Sequence, residues 1–145
     1  MKLTIKSYDE LTRDELYKIL KLRVDVFVVE QNCPYEEIDG NDQGALHLWF
    51  EEDGQIQAYL RLLDRGIKSR YVTIGRVISV KRRAGLGSMI LREGILAARE
   101  RFSAEAVYVE AQSYAKGLYE KQGFRQISDE FLEDGIPHVR MLLEC

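Results

Sequence analysis

The segment from Arg82 to Ser88 carries residue types that bind phosphate groups. Gly85 and Gly87 lack a Cβ atom, so the backbone there can approach a ligand closely. A helical pattern begins at about Leu86, and the free N–H groups of a helix start attract anions. Two arginines add positive charge. A strand, a short basic turn and a helix start, in this order, predict a pyrophosphate site.

Two known kinds of nucleotide-binding loop do not match this segment. One requires Gly-x-x-x-x-Gly-Lys followed by Ser or Thr; no such lysine follows Gly87, and Ser88 alone does not replace it. The other requires a third glycine where this sequence has Ile90. A tight turn with two solvated arginines is the simpler alternative for the segment taken by itself.

Composition and charge exclude several classes of function. The formal net charge of −3 argues against nucleic acid as a main partner, because a phosphate-binding face needs a basic excess. No apolar run approaches the roughly 20 residues of a membrane span, so no membrane association is expected. Cys33 and Cys145 lie far apart, which predicts no disulfide framework and a cytoplasmic location. His47 and His138 are isolated, so no metal site is predicted.

The first third of the chain predicts a strand, a helix and a long loop. Residues 2–7 alternate in polarity, and apolar residues recur at helical spacing from about Thr12 to Val29. Residues 30–42 form a polar stretch with five carboxylates. A loop of this length inside a small domain is usually functional. Because it also contains Tyr35, we expect an ordered loop that covers part of a site.

The rest of the chain alternates between strand and helix patterns. Strands are predicted over 46–50, 57–63, 70–80, 106–111, 124–127 and 138–143, and helices over 86–102 and 114–122. A run of hairpin strands followed by a β-α-β crossover indicates a mixed sheet. We therefore predict one α/β (α+β) domain over residues 1–145, with a twisted sheet of about seven strands and helices on both faces.

Two motifs resemble the signatures of the GNAT acyltransferases. The spacing Arg82-x-x-Gly85-x-Gly87 is similar to the family's Arg/Gln-x-x-Gly-x-Gly/Ala loop, which binds the pyrophosphate of acetyl-CoA. The segment from Ala115 to Phe124 resembles the second signature, Ala-x-x-(Leu/Phe)-Tyr-x-x-x-Gly-Phe. The order of elements agrees as well, so the resemblance covers nearly the whole chain. The ElaA-like branch of the family is resembled by three further segments, 23–35, 75–78 and 133–138.

The resemblance implies a binding site for acetyl-CoA as co-substrate. A backbone N–H of the strand before the phosphate loop is expected to bind the thioester oxygen as charge builds on it. Tyr119 is expected to protonate the departing thiolate, with a buried core tyrosine as the alternative. The implied contacts are Val77, Ile78, Ser79, Val80, Arg82, Arg83, Ala84, Gly85, Leu86, Gly87, Ser88, Gln112 and Tyr119.

The acceptor side is predicted from the charged residues that remain. Attack on a thioester needs a neutral amine, and the ordinary pKa of a lysine-like amine is about 10. Glu30 and Glu37, acting through water, and His47 are the predicted bases. Arg76 lies inside a strand and must be paired or face a cleft. It is predicted, with Tyr35 and Glu37, to bind substrate, and the alternative is that it pairs with one of the loop acids. The acidic loop is expected to attract a cationic amine.

The expected activity is therefore direct N-acetyl transfer to a primary amine of a small molecule or peptide. The alternative is a non-catalytic acyl-CoA-binding module. Such a module would keep Arg82, Gly85 and Gly87 but would have no need of Tyr119. A homodimer is compatible with both the acetyltransferase and the acyl-CoA-binding module.

Overall fold

The computed structural model describes residues 1–80 and 85–145. In these parts of the chain, eight strands form one sheet: β1 Lys2–Ser7, β2 Leu46–Glu52, β3 Gln55–Leu63, β4 Val72–Ser79, β5 Ala106–Gln112, β6 Arg125–Gln126, β7 Phe131–Glu133 and β8 Ile136–Glu144. Their order across the sheet is β1-β2-β3-β4-β5-β8-β6, and β7 pairs with β8. All pairs are antiparallel except β4 with β5, which confirms the predicted mixed sheet.

The eighth strand, β7, lies in a segment that the sequence predicted as an acidic loop. Asp134 and Gly135 connect it to β8, and both have positive φ, +52° and +76°. This is the conformation of the two-residue hairpin turn that Asp-Gly favours. The same dipeptide, Asp53-Gly54, forms the predicted hairpin turn between β2 and β3.

The first helix changes its winding before it ends. α1 spans Arg13–Val24 and continues as a π-helical segment, Asp25–Glu30, where one helix over about 12–29 was predicted. Its start is fixed by Thr12, whose hydroxyl accepts from the N–H of Glu15, while the Glu15 carboxylate accepts from the N–H of Thr12. π-Helical turns occur frequently at functional sites.

The other helices cover the opposite face of the sheet and its edge. α2, Leu86–Phe102, connects β4 to β5 and packs closely on the sheet at Gly94. A Cβ atom at Gly94 would lie 2.6 Å from Cδ2 of Leu60, so any larger residue would force the Leu60 side chain to move. α3, Lys116–Glu120, follows a 3₁₀ turn over Ser113–Ala115 and replaces the longer helix predicted over 114–122.

Helices on both faces create two buried cores, as predicted. The larger lies between α2, α3 and the sheet. The smaller lies under α1 and consists of Ile19, Trp49, Tyr59 and Ile78. No helix in the described ranges is long and apolar enough to cross a membrane.

Candidate functional site

Strands β4 and β5 separate along their length and open a cleft. They pair in parallel only near their starts, Val72 with Val107 and Thr73 with Tyr108. Both strands then continue, β4 to Ser79 and β5 to Gln112. The resulting cleft has a volume of about 950 Å³, which is within the range of sites that hold small ligands and cofactors.

The cleft wall on β4 contains a β-bulge. Leu60 of β3 faces two residues of β4, Arg76 and Val77, where regular pairing would give it one. Arg76 has φ +55°, which is uncommon for a residue other than glycine. At a bulge, backbone N–H and C=O groups leave the hydrogen-bonded pairing between the strands and point in a different direction. Four residues at and after the bulge were predicted to contact acetyl-CoA. All four line the cleft: Val77, Ile78, Ser79 and Val80.

The first turn of α2 forms the outer end of the same cleft. Gly85 is the N-cap residue, with φ +72°, and as a glycine it has no side chain that could cap the turn. Among the described residues, the N–H groups of this helix start lie at the end of the cleft, together with the positive end of the helix dipole. The predicted contacts Arg82, Arg83 and Ala84 lie outside the described residues. Those that are described all line the cleft: Gly85, Leu86, Gly87 and Ser88.

Tyr119 belongs both to the larger core and to the cleft wall. It is 7% exposed, it lines the cleft, and its ring packs edge-on against Phe124 with ring centroids 5.7 Å apart. Burial raises the pKa of the Tyr119 hydroxyl, and the nearby Tyr114 adds to the shift. The hydroxyl therefore keeps its proton at neutral and mildly alkaline pH and can act as a proton donor.

Gln112 connects the two sides of the cleft. Its side-chain amide exchanges two hydrogen bonds with that of Gln31, at 3.1 Å and 3.2 Å. Gln31 directly follows the π-helical segment, so this amide pair joins the end of the first helix to the end of β5. The sequence predicted that Gln112 contacts acetyl-CoA. The structure places Gln112 in the cleft, with its side-chain amide hydrogen-bonded to Gln31.

A cluster of buried ion pairs holds the 30–42 loop against the sheet. Three arginines, one each from α1, β3 and the β4 bulge, each contact two carboxylates of the loop. The three positive and three negative charges pair with one another, and this pairing offsets the free-energy cost of removing charges from water. We call this the arginine–carboxylate cluster; its members are Arg23, Arg61, Arg76, Glu37, Asp39 and Asp42.

Glu37 lies inside this cluster and not on the cleft wall. It is 3% exposed. Its Oε2 accepts from Arg23 and from Arg76, at 2.7 Å each, and its Oε1 accepts from the Tyr35 hydroxyl. Both oxygens are engaged, so the geometry does not favour the predicted roles of Glu37 as base and substrate contact. Tyr35 and Arg76 do line the cleft, and Glu37 holds both of them there.

His47 is also placed away from the cleft. It is fully buried on β2, which β3 separates from β4. Its Nε2 lies 3.0 Å from the carbonyl oxygen of Asp42 and must donate to it, so Nδ1 accepts from the Tyr59 hydroxyl at 2.7 Å. Burial lowers the pKa of His47, which keeps the ring neutral. These contacts indicate a structural histidine and do not favour its predicted role as base.

The 30–42 loop is therefore not the acidic wall that was expected. Three of its five carboxylates lie in the arginine–carboxylate cluster, where arginines balance them. Glu30 and Glu36 remain as exposed carboxylates on the cleft wall. Of the predicted bases, only Glu30 lies at the cleft.

We expect the arginine–carboxylate cluster to make stability dependent on pH. Burial by itself would raise the pKa of Asp39 and of Asp42, but hydrogen bonds from Arg61 and Arg23 lower both. Their stabilisation is therefore complete above the ordinary carboxyl pKa of about 3.9 and is lost as the pH falls through the lower folded-state values. The pKa of His47 is also lowered in the folded protein, so the fold loses further stability as the pH falls below about 6.5, the ordinary pKa of histidine.

Urea unfolding of Asp39→Asn and of the unsubstituted protein tests this pH dependence. The variant should be less stable by about 2 kcal/mol near pH 7, and the difference should shrink as the pH approaches about 3. Asp9→Asn is the matched control at an exposed aspartate and should keep the full pH dependence. A difference between Asp39→Asn and the unsubstituted protein that stays constant with pH would contradict the expectation.

A second group of polar residues lies at the inner end of the cleft and was not predicted as a site. Tyr108 and Glu110 occupy the face of β5 that Gln112 shares, and Glu133 and His138 join them from β7 and β8. The alternation along β5 could have identified Tyr108 and Glu110 as cleft residues. The approach of Glu133 depends on the β7–β8 hairpin, which the sequence analysis did not predict.

Residues 9–145 match the family model described as an acetyltransferase (GNAT) domain. A UPF0039 protein of Schizosaccharomyces pombe (strain 972) is 40% identical over 143 residues, which are 96% of this chain and 94% of that protein. The sequence similarity therefore extends beyond the two motifs to nearly the whole chain.

Two solved structures share the fold over nearly its full length. An acyl-CoA N-acyltransferase from Pseudomonas aeruginosa is 41% identical, with a TM-score of 0.92, and the match covers 99% of both chains. ElaA from Escherichia coli is 34% identical, with a TM-score of 0.91, and the match covers 99% of this chain and 100% of that one. The ElaA-like resemblance of the sequence is thus confirmed.

Proposed function

Because the chain belongs to the GNAT family of acetyltransferases, we propose that it transfers an acetyl group from acetyl-CoA directly to a primary amine. The observation that carries this proposal is the cleft between β4 and β5. It has an uncapped helix start at one end and titratable side chains at the other. A donor with a pyrophosphate group and a long thioester arm needs both a phosphate-binding end and a narrow channel.

The residues of the cleft fit acetyl-CoA. At the outer end, Gly85 and Gly87 add no side chain to the start of α2, so its N–H groups can bind the pyrophosphate. Between Ile74 and Ile78, β4 is not paired with β5, and the amide groups of the pantetheine arm can pair with this stretch as an added strand. In the proposed complex, Arg82 and Arg83 add positive charge beside the phosphates.

Two groups of the protein are suited to assist the transfer. A backbone N–H at the bulge, near Val77, can donate to the thioester oxygen as negative charge develops on it. Tyr119 keeps its proton at neutral pH and can give it to the departing sulfur. Direct attack by the amine needs no acyl-enzyme intermediate.

The charge of the cleft supports a cationic acceptor. Among the described side chains that line it, seven are carboxylates and three are lysine or arginine. Arg61, Arg76 and one of the carboxylates, Asp39, are paired in the arginine–carboxylate cluster, which leaves six carboxylates and one lysine. Such a cleft attracts a small-molecule or peptide amine and disfavours anionic acceptors and nucleic acid. Because both cysteines are free, we place the reaction in the cytoplasm.

The proposal is tested by the release of CoA thiol from acetyl-CoA in the presence of a panel of primary amines. Release should depend on both protein and amine, and mass spectrometry should find one acetylated amine per thiol. Acetyl-CoA that binds in calorimetry but is never consumed with any amine would favour the non-catalytic acyl-CoA-binding module instead.

We expect Tyr119→Phe to lower the turnover rate about 10- to 1,000-fold, with the affinity for acetyl-CoA changed less than twofold. The substitution keeps the ring and its contact with Phe124 and removes only the proton donor. Tyr17→Phe, at an exposed tyrosine on α1, is the matched control. Unchanged turnover under conditions where chemistry limits the rate would mean that Tyr119 serves only in the core.

A further inference from the structure

Four side chains meet at the inner end of the cleft, close to where β4 and β5 are still paired. The Tyr108 hydroxyl donates to Oε2 of Glu110 at 2.8 Å. The side chains of Glu110 and Glu133 both line this end of the cleft, and burial and the negative charge of Glu110 contribute to a raised pKa of Glu133. The Nε2 atom of His138 lies 3.5 Å from Oε2 of Glu133. We call Glu110 and Glu133 the carboxyl pair.

The carboxyl pair lies beside the proposed path of the thioester. Glu110 precedes Gln112 by two residues on β5, so it is on the same face of the strand and about 7 Å further into the cleft. Across the cleft is the β4 bulge, where the N–H that binds the thioester oxygen is proposed. An acceptor held by the pair would therefore approach the thioester from the inner end, opposite the phosphate-binding end.

We propose that Glu110 and Glu133 bind the ammonium group of the acceptor and take its proton before attack. This inference rests on the proposed function and assigns the base that the geometry of Glu37 and His47 does not supply. An amine with a pKa of about 10 reaches the protein as an ammonium ion, which cannot attack. Two carboxyl groups on the same end of the cleft attract the ammonium group by their negative charge.

The surroundings make Glu133 a better proton acceptor than an ordinary carboxylate. Burial, and then the negative charge of Glu110, raise the pKa of Glu133. His138 on β8 and Lys68 in the loop before β4 oppose this shift, and Nε of Arg140 lies 4.0 Å from Oε2 of Glu110. A raised pKa of Glu133 makes the difference between the pKa of this carboxyl and that of the amine smaller. Less free energy is therefore needed to move the proton from the amine to the carboxyl.

The protons and electrons balance over the whole reaction. The ammonium group first gives one proton to the carboxyl pair, which releases it to solvent before the nitrogen loses its second proton. The amine nitrogen then forms a C–N bond with the acetyl carbon, and the C–S bond breaks with its electron pair on sulfur. Tyr119 protonates that sulfur, and the second proton lost by nitrogen passes through the pair and restores the Tyr119 hydroxyl. The products are the acetylated amine, CoA thiol and one proton.

Kinetics with n-butylamine as acceptor test the inference. Glu110→Gln and Glu133→Gln should each lower kcat/KM for the amine about 100- to 1,000-fold and change the affinity for acetyl-CoA less than twofold. Without the base, only amine that is already neutral in solution can react. The rate of each variant should therefore rise with pH toward the free amine pKa of about 10. Glu130→Gln, at an exposed glutamate outside the cleft, is the matched control.

A second measurement does not depend on turnover. In protein labelled with ¹³C at the glutamate carboxyl carbons and saturated with CoA, adding n-butylammonium should shift the resonances of Glu110 and Glu133 and leave that of Glu130 unchanged. Variants that retain full kcat/KM and the original pH profile, or resonances that do not respond to the amine, would each overturn the inference. Failure of the proposed function looks different, because the unsubstituted protein would then release no thiol with any amine.

Discussion

Gly87→Glu is expected to abolish acetyl-CoA binding in a protein that still folds. Gly87 is the second residue of α2, and a Cβ atom there would make ordinary contacts, 3.5 Å from Cδ2 of Leu118 and 3.9 Å from Cβ of Ser79. A glutamate fits the fold for this reason, and an acidic side chain near a helix start is itself slightly stabilising. Its carboxylate would occupy the space proposed for the pyrophosphate with charge of the same sign.

Two further substitutions separate charge from size at this position. Gly87→Ala should keep most of the affinity, and Gly87→Gln, which has the length of glutamate without its charge, should lie between the two. We expect calorimetry to show a loss of at least about 100-fold for Gly87→Glu, which corresponds to about 2.7 kcal/mol. Affinity within threefold of the unsubstituted protein would mean that the phosphates lie elsewhere.

The parts of the site that the sequence predicted are those built from neighbouring residues. The strand, the turn at Gly85 and the start of α2 follow one another along the chain, so their spacing, together with the family resemblance, predicted the outer end of the cleft. The hairpin at Asp53-Gly54 was predicted for the same reason, since its turn and strands are adjacent. β7 carries the same local signal at Asp134-Gly135. It is only three residues long, and Pro137 follows the turn, so the segment was interpreted as a loop.

The parts that the sequence missed depend on contacts between distant residues. The carboxylates of the 30–42 loop looked like an acidic wall because nothing local indicates that Arg61, from β3, reaches Asp39 and Asp42. The formal charge of the loop therefore predicted an acidic surface, whereas arginines from other elements pair with three of its five carboxylates. The carboxyl pair is a similar case, because Glu110 and Glu133 come from strands that are brought together by β8. Pairing across the sheet, and not residue type, decides which carboxylates face the cleft.

Arg23→Leu is expected to lower the free energy of unfolding by about 3–5 kcal/mol. The Arg23 side chain is 0% exposed and donates to Glu37 at 2.7 Å and to Asp42. Leucine fills much of the volume but leaves the arginine–carboxylate cluster with three carboxylates and two arginines, so one buried negative charge loses its balance. This is a large part of the 5–15 kcal/mol that typically stabilises a domain.

The matched control for Arg23→Leu is Lys21→Leu on the same helix. Lys21 pairs with Asp25 at 2.7 Å, but the two side chains are 64% and 48% exposed, so its loss should change the free energy of unfolding far less than the loss of Arg23. Adding Asp42→Asn to Arg23→Leu leaves two carboxylates opposite two arginines and should recover part of the lost stability. Urea unfolding at neutral pH measures all three. If Arg23→Leu costs no more than Lys21→Leu, the buried charges are not what holds the 30–42 loop and, through Glu37, the Arg76 bulge in place.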